Sequence, residues 1–142
     1  MSTRQIYKFM SVCTQTVGRE KSMSVAHALM REHHVRHLPV VDGGVLVGIL
    51  SDGDLRFAEA LRDIDTSRVR VEEVMTKEPY FVAPSASLGE VAAHMAEHRY
   101  GCAVVMDGAK IAGIFTSTDA LRALATVVDD EAPSRRPVGS HV

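Results

Sequence analysis

A hydroxyl followed three residues later by a carboxylate occurs twice in this chain, in Ser51-Asp52-Gly53-Asp54 and in Thr116-Ser117-Thr118-Asp119. Each segment closes an apolar run, Gly48-Ile49-Leu50 or Gly113-Ile114-Phe115, and opens a helical pattern. A strand end would thus deliver the hydroxyl and the first helical turn the carboxylate. A helix N-terminus offers unpaired amides and partial positive charge, which suit a phosphate or another anion. A carboxylate beside it can accept two hydrogen bonds from a cis-diol, as the acidic residue of dinucleotide-binding folds does with ribose. Together they would hold a nucleoside. The same spacing also describes a capping box, worth about 1 kcal/mol to the helix. On spacing alone capping is the stronger expectation, and the two roles are compatible. Both copies use Asp, whose shorter side chain reaches back less easily than Glu and so leans towards the diol.

A basic cluster, His33, His34, Arg36 and His37, precedes Leu38-Pro39, and its counterpart is His98, Arg99, Tyr100, Gly101 and Cys102. Two readings stay open. The histidines end helices, where the dipole favours a partly cationic ring, or Arg36 and His37 face a ligand phosphate, one as a fork and the other as a pH-dependent donor. Metal binding has no support here, because HExxH is absent and no cysteine or carboxylate set accompanies the histidines at zinc spacing. An enzyme is not expected either. Ser51 and Thr116 have no repeated base and orienter, and G-x-S-x-G, the P-loop and G-x-G-x-x-G are missing.

The elements that must position these groups repeat. At a constant offset of 65 residues, Met10, Val17, Ser22, Ala28, Met30, Glu32, His33, Val40, Asp42, Gly43, Gly48, Ile49 and Asp54 recur as Met75, Val82, Ser87, Ala93, Met95, Glu97, His98, Val105, Asp107, Gly108, Gly113, Ile114 and Asp119. Shared helical periodicity would not reproduce Asp-Gly and Gly-Ile in one register, so a structural unit is duplicated. After a short segment ending in Met10 or Met75, each unit predicts an extended stretch over Thr14–Val17 or Tyr80–Val82. A helix over Ser24–His33 or Ser87–His98 follows, with Met23, Ala26 and Met30, or Leu88, Val91 and Met95, as its apolar stripe. Two runs, Leu38–Val41 with Val45–Ser51 and Ala103–Met106 with Lys110–Thr116, flank Asp-Gly turns and form hairpins. The last helix covers Asp52–Arg62 or Ser117–Val127. The fold class is therefore α/β (α+β), each unit reading strand, helix, strand, strand, helix. Units occupy residues 6–62 and 71–127, with a connector over 63–70 and a mobile tail over 128–142. One unit is too small to bury a sufficient core alone, and packing sheet on sheet would solve that.

Composition sets the outer limits. In 142 residues, Lys+Arg 16 against Asp+Glu 18 gives a formal net charge of −2, so no global field draws the chain to nucleic acid or an anionic membrane. Three Tyr, four Phe and no Trp offer little for base stacking. No apolar run nears the ~20 residues of a membrane span, and the polar start is unlike a signal peptide. Cys13 and Cys102, without C-x-x-C spacing, fit a reducing cytoplasm.

With His37-Leu38-Pro39-Val40-Val41-Asp42, Gly48-Ile49-Leu50-Ser51-Asp52-Gly53-Asp54-Leu55-Arg56, Val104-Val105-Met106-Asp107 and Gly113-Ile114-Phe115-Thr116-Ser117-Thr118-Asp119, the chain resembles the tandem cystathionine β-synthase (CBS) domain pair, or Bateman module, over about residues 6 to 127. That resemblance implies two units packed through their sheets about a pseudo-twofold axis. Their two clefts would bind adenosyl ligands such as AMP, ADP, ATP or S-adenosylmethionine as regulatory ligands, with no obligatory cofactor. It places Asp54 and Asp119 on ribose hydroxyls and Ser51 and Thr116 on phosphate or ribose. Backbone and apolar groups around Thr16, Val17, Pro39, Phe81, Val82 and Cys102 would line the adenine slots, Arg36 and His37 would lie near the phosphate of one cleft, and Leu38, Tyr100 and Gly101 would complete the ligand-binding set. It further implies a standalone, non-enzymatic sensor, a flat homodimer that signals to an unidentified regulated protein. Gly53 and Thr118 stand where many relatives carry Arg or Lys, which favours a monophosphate or an uncharged adenosyl group over a polyphosphate. The rival expectation is a ligand-free structural or interaction module in which both aspartates only cap helices.

Overall fold

Exchange of short strands between the two repeats defines the architecture, seen in a computed structural model that describes residues 4–13, 15–61 and 65–131. In chain order the elements are a 3-10 turn (Ile6–Lys8), β1 (Ser11–Val12), β2 (Val17–Gly18), α1 (Met23–His33), β3 (His37–Asp42), β4 (Val45–Ser51) and α2 (Asp52–Ala60). Then come α3 (Val71–Val74), β5 (Thr76–Lys77), β6 (Phe81–Val82), α4 (Leu88–His98), β7 (Cys102–Asp107), β8 (Lys110–Thr116) and α5 (Ser117–Glu131). They form two four-stranded sheets, β2-β3-β4-β5 and β1-β8-β7-β6. Thus β1 joins the second unit's sheet, antiparallel to β8, and β5 joins the first, antiparallel to β4.

The same exchange runs through the cores. Val71, wholly buried, packs with Val17, Met23, Ala26, Met30, Leu38, Val40, Leu50 and Leu55, while Ile6 packs with Leu88, Val91, Met95, Val105 and Phe115. Each unit is completed by the short segment preceding the other. Leu38 and Val40 face the helices of the first core, and Ala103 and Val105 those of the second. Pro39 and Val104 lie on the opposite faces of their strands and are buried as well. With period-two alternation that requires a second cover, which is the other unit's sheet.

Local chemistry explains the element ends. Ser22 and Ser87 cap α1 and α4 by accepting from the amides of Val25 and Glu90. Gly43 at φ 58° and Gly108 at φ 63° occupy left-handed turn positions between the hairpin strands. Several boundaries differ from expectation. Helix α2 ends at Ala60, Arg62 lies outside the described residues, and the first extended stretch shrinks to Val17–Gly18, Thr14 also lying outside them. Helix α5 runs to Glu131, so residues 128–131, expected in a mobile tail, are helical, because Val127 continues the apolar stripe against the second core. Residues 132–142 of that tail and 63–64 of the connector lie outside the described residues.

Candidate functional site

Both capping boxes form. The Ser51 hydroxyl accepts from the Asp54 amide at 3.0 Å, and the Asp54 carboxylate accepts from the Ser51 amide at 2.9 Å. In the second copy the Asp119 amide donates to Thr116 Oγ1 at 3.2 Å and the Thr116 amide to Asp119 Oδ2 at 3.0 Å. The loops before β3 and β7 supply the next cap. The Asp52 amide donates to the Arg36 carbonyl at 2.8 Å, and the Ser117 amide to the Gly101 carbonyl at 3.1 Å. So Arg36 and Gly101 are fixed at the N-termini of α2 and α5 by the helices' own unpaired amides.

The two carboxylates are nevertheless unlike. Asp54 is half-buried, whereas Asp119 is 4% exposed and also accepts from the Thr116 hydroxyl at 3.1 Å, the Ser11 hydroxyl at 3.0 Å and Arg122 at 3.4 Å. Ser11 arrives there on the exchanged strand β1. It was missed in the sequence because it aligns with Thr76, a hydroxyl in both copies but not an identity.

Around Asp119 lies a cleft of about 570 Å³, within the usual range for small-molecule sites. It is lined by Ser11 on β1, by Cys13 and Gln15 just beyond that strand, by His34, Arg36 and His37 around the start of β3, and by Thr116, Thr118, Asp119 and Arg122 at the α5 end. The structure thus brings Arg36, His37, Gly101, Thr116 and Asp119 together in one cleft. Ser51 and Asp54 lie at the start of α2, linked through the His37–Ser51 strand pair. The other expected residues are elsewhere: Val17 and Leu38 are core, Pro39 is buried between the sheets, Val82 packs on the second core, and Thr16 and Phe81 are exposed. Tyr100 joins a ring cluster with Tyr80, His94 and His98. Cys102 pairs with Thr116 across β7 and β8, and burial pushes its thiol up to about 12, with Asp119 and Cys13 adding to the effect. Such a thiol is a small hydrophobe rather than a nucleophile. Among the described residues no group of three or more His, Cys, Asp or Glu could hold a metal ion, and no helix is long and apolar enough to cross a membrane.

His37 lies where the two units meet. Its Nε2 is 3.6 Å from where a side chain on Gly101 would begin, so the ring packs against the start of the second unit's hairpin. Burial lowers its pKa below 6.5; Asp54, Asp119 and Asp52 oppose this, and Arg36 adds to it. A folded-state value below the unfolded one means that the unfolded chain takes up the proton first as pH falls. Stability from this group is therefore complete above about pH 6.5 and declines as pH drops towards the folded value. Urea denaturation between pH 7.5 and 5 should show that decline, and His37→Gln should flatten it.

The family is decided by the comparison of these units with known ones. A model of the CBS domain matches residues 6–61 and again 71–126. The chain belongs to the CBS-domain family. The CBS domain-containing protein YhcV of Bacillus subtilis is 31% identical over 110 residues, covering 78% of each protein. Inosine-5'-monophosphate dehydrogenase of Korarchaeum cryptofilum is 35% identical over 105 residues, 73% of this chain but 21% of that enzyme, so the likeness spans about a fifth of the dehydrogenase. Among solved structures, CBSX2 in complex with AMP is 30% identical with a TM-score of 0.70, covering 87% of this chain and 97% of that one. The CBS domain pair of MJ0100, in complex with 5'-methylthioadenosine and S-adenosyl-L-methionine, is 25% identical with a TM-score of 0.77, covering 89% and 99%. This CBS pair thus shares its fold with modules that hold adenosyl compounds.

Proposed function

We propose that this CBS pair is a regulatory module that binds an adenosine-containing ligand in the cleft beside Asp119 and signals its occupancy to a partner protein. The observation that carries this reading is the arrangement of charge in the cleft. A buried carboxylate and a helix N-terminus stand at one end, with Arg36, His37 and Arg122 around them. Asp119 would accept from the ribose hydroxyls, Ser11 releasing its hydrogen bond to the ligand, and Thr116 and the start of α5 would meet ribose or phosphate. Asp54 and Ser51 would play the same parts at the start of α2. The AMP and S-adenosylmethionine complexes of the related CBS proteins support an adenosyl ligand.

Isothermal titration with AMP, ATP and S-adenosylmethionine tests this. Saturable binding of one or two ligands per chain is expected, AMP binding at least as tightly as ATP because Gly53 and Thr118 add no cation at the helix starts. At 100 times Kd the ligand should raise stability by about 2.7 kcal/mol. A second reading rests on the same carboxylate: the bonds Asp119 already accepts satisfy it without a ligand, as an interaction module dimerising through its surface requires. Heat indistinguishable from buffer with all three compounds would establish that reading instead.

A further inference from the structure

We propose that His94 and His98 form an exchangeable site for a divalent transition-metal ion on the outer face of α4. The two residues are four apart on one helix, which sets their side chains on the same face. Their rings already lie together, centroids 4.1 Å apart and 26° from parallel. His98 Nδ1 is 3.0 Å from the His94 carbonyl. A carbonyl only accepts, so the proton sits on Nδ1 and the Nε2 lone pair of His98 is left to a cation, the arrangement that orients histidine ligands in metal sites. Tyr80 stacks on His94 with centroids 4.4 Å apart, and Tyr100 lies 5.3 Å from His98, flanking the pair with rings. The proposal requires the His94 ring to turn out of its stack on Tyr80 until the two imidazoles converge, His98 keeping its Nδ1 bond.

The repeat supports a feature particular to the second unit. The counterparts of His94, Tyr80 and Tyr100 are Leu29, Gln15 and Val35, so neither the pair nor its ring setting exists in the first. With no third His, Cys, Asp or Glu in reach among the described residues, water would complete the coordination, which distinguishes this site from a closed structural zinc site. Imidazole ligands select Cu²⁺, Ni²⁺ and Zn²⁺ over Mg²⁺ and Ca²⁺, with Cu²⁺ tightest.

The chain reports on this site itself, because it has no Trp and three Tyr, of which Tyr80 and Tyr100 touch the His94 ring. Titration with CuCl₂ should quench tyrosine emission saturably at one equivalent, whereas MgCl₂ should not. In His98→Ala, an exposed position that the fold tolerates, and in His94→Ala, the affinity should fall by more than about tenfold. His33→Ala, at the equivalent helix end of the first unit, should titrate as the unaltered chain. Quenching that survives in His98→Ala, or that disappears in His33→Ala, would overturn the assignment.

Discussion

Asp119→Ala should destabilise the chain by about 3 kcal/mol, while Asp54→Ala should cost about 1 kcal/mol, although the two aspartates occupy equivalent positions in the repeat. Asp54 is half-buried and its described hydrogen bond closes a capping box, so alanine removes a cap at a partly solvated helix end. Asp119 does more. It ties the amide and hydroxyl of Thr116, the hydroxyl of Ser11 and the guanidinium of Arg122 to one carboxylate that is 4% exposed. Alanine there removes the one buried acceptor that these donors share and loosens β1, which reaches the second sheet from the first unit. Urea denaturation of the two variants measures the difference directly. Equal losses would mean that the Ser11 bond contributes nothing to holding the exchanged strand. The same pair separates stability from binding, since titration with AMP should show lost affinity in Asp119→Ala even well below its denaturation midpoint.

Substituting Gly113 by valine should cost about 3 kcal/mol, because β1 crosses Gly113 at a distance that only glycine permits. A Cβ there would stand 2.6 Å from the Ser11 carbonyl oxygen and 2.6 Å from Met10 Sδ. The methionine can move, but the carbonyl is backbone of β1, held by the pairing of Ser11 with Ile114 and of Val12 with Gly113. Gly48→Val should behave alike at the pseudo-equivalent crossing, where the Thr76 carbonyl would lie 2.9 Å away. Gly53→Ala is the control. It sits in the first turn of α2 with only Ser51 Oγ at 3.6 Å, and alanine should stabilise that helix by about 0.5 kcal/mol. Thermal denaturation should therefore move Tm down for Gly113→Val and Gly48→Val and slightly up for Gly53→Ala. A Gly113→Val chain as stable as the original would show that the exchanged strand is dispensable.

These two expectations fall where the sequence was least informative. Strands β1 and β5 have two residues each, too few for any period to register, and their partners lie a whole repeat away. The hairpins, by contrast, were written locally in Asp-Gly between β-branched runs, and β4 and β8 occupy the residues expected of them. The recurrence of Gly48 as Gly113 was visible as an identity, but its reason was not. It needed the carbonyl that passes over each glycine.

The candidate site divides in the same way. Residue order by itself determined the duplicated unit, the helix-start boxes of Ser51 with Asp54 and Thr116 with Asp119, and the cations beside them, because caps and turns are made by neighbours along the chain. Only the tertiary structure decided which of these groups share a cleft. Val17 and Leu38 went to the core by the alternation of their strands, while Ser11 entered the cleft on a strand exchanged from the other unit, with Cys13 just beyond it. Asp119 is the more deeply buried carboxylate, and to the bonds it takes from Thr116 and Arg122 in its own segment the tertiary structure adds a partner 108 residues away.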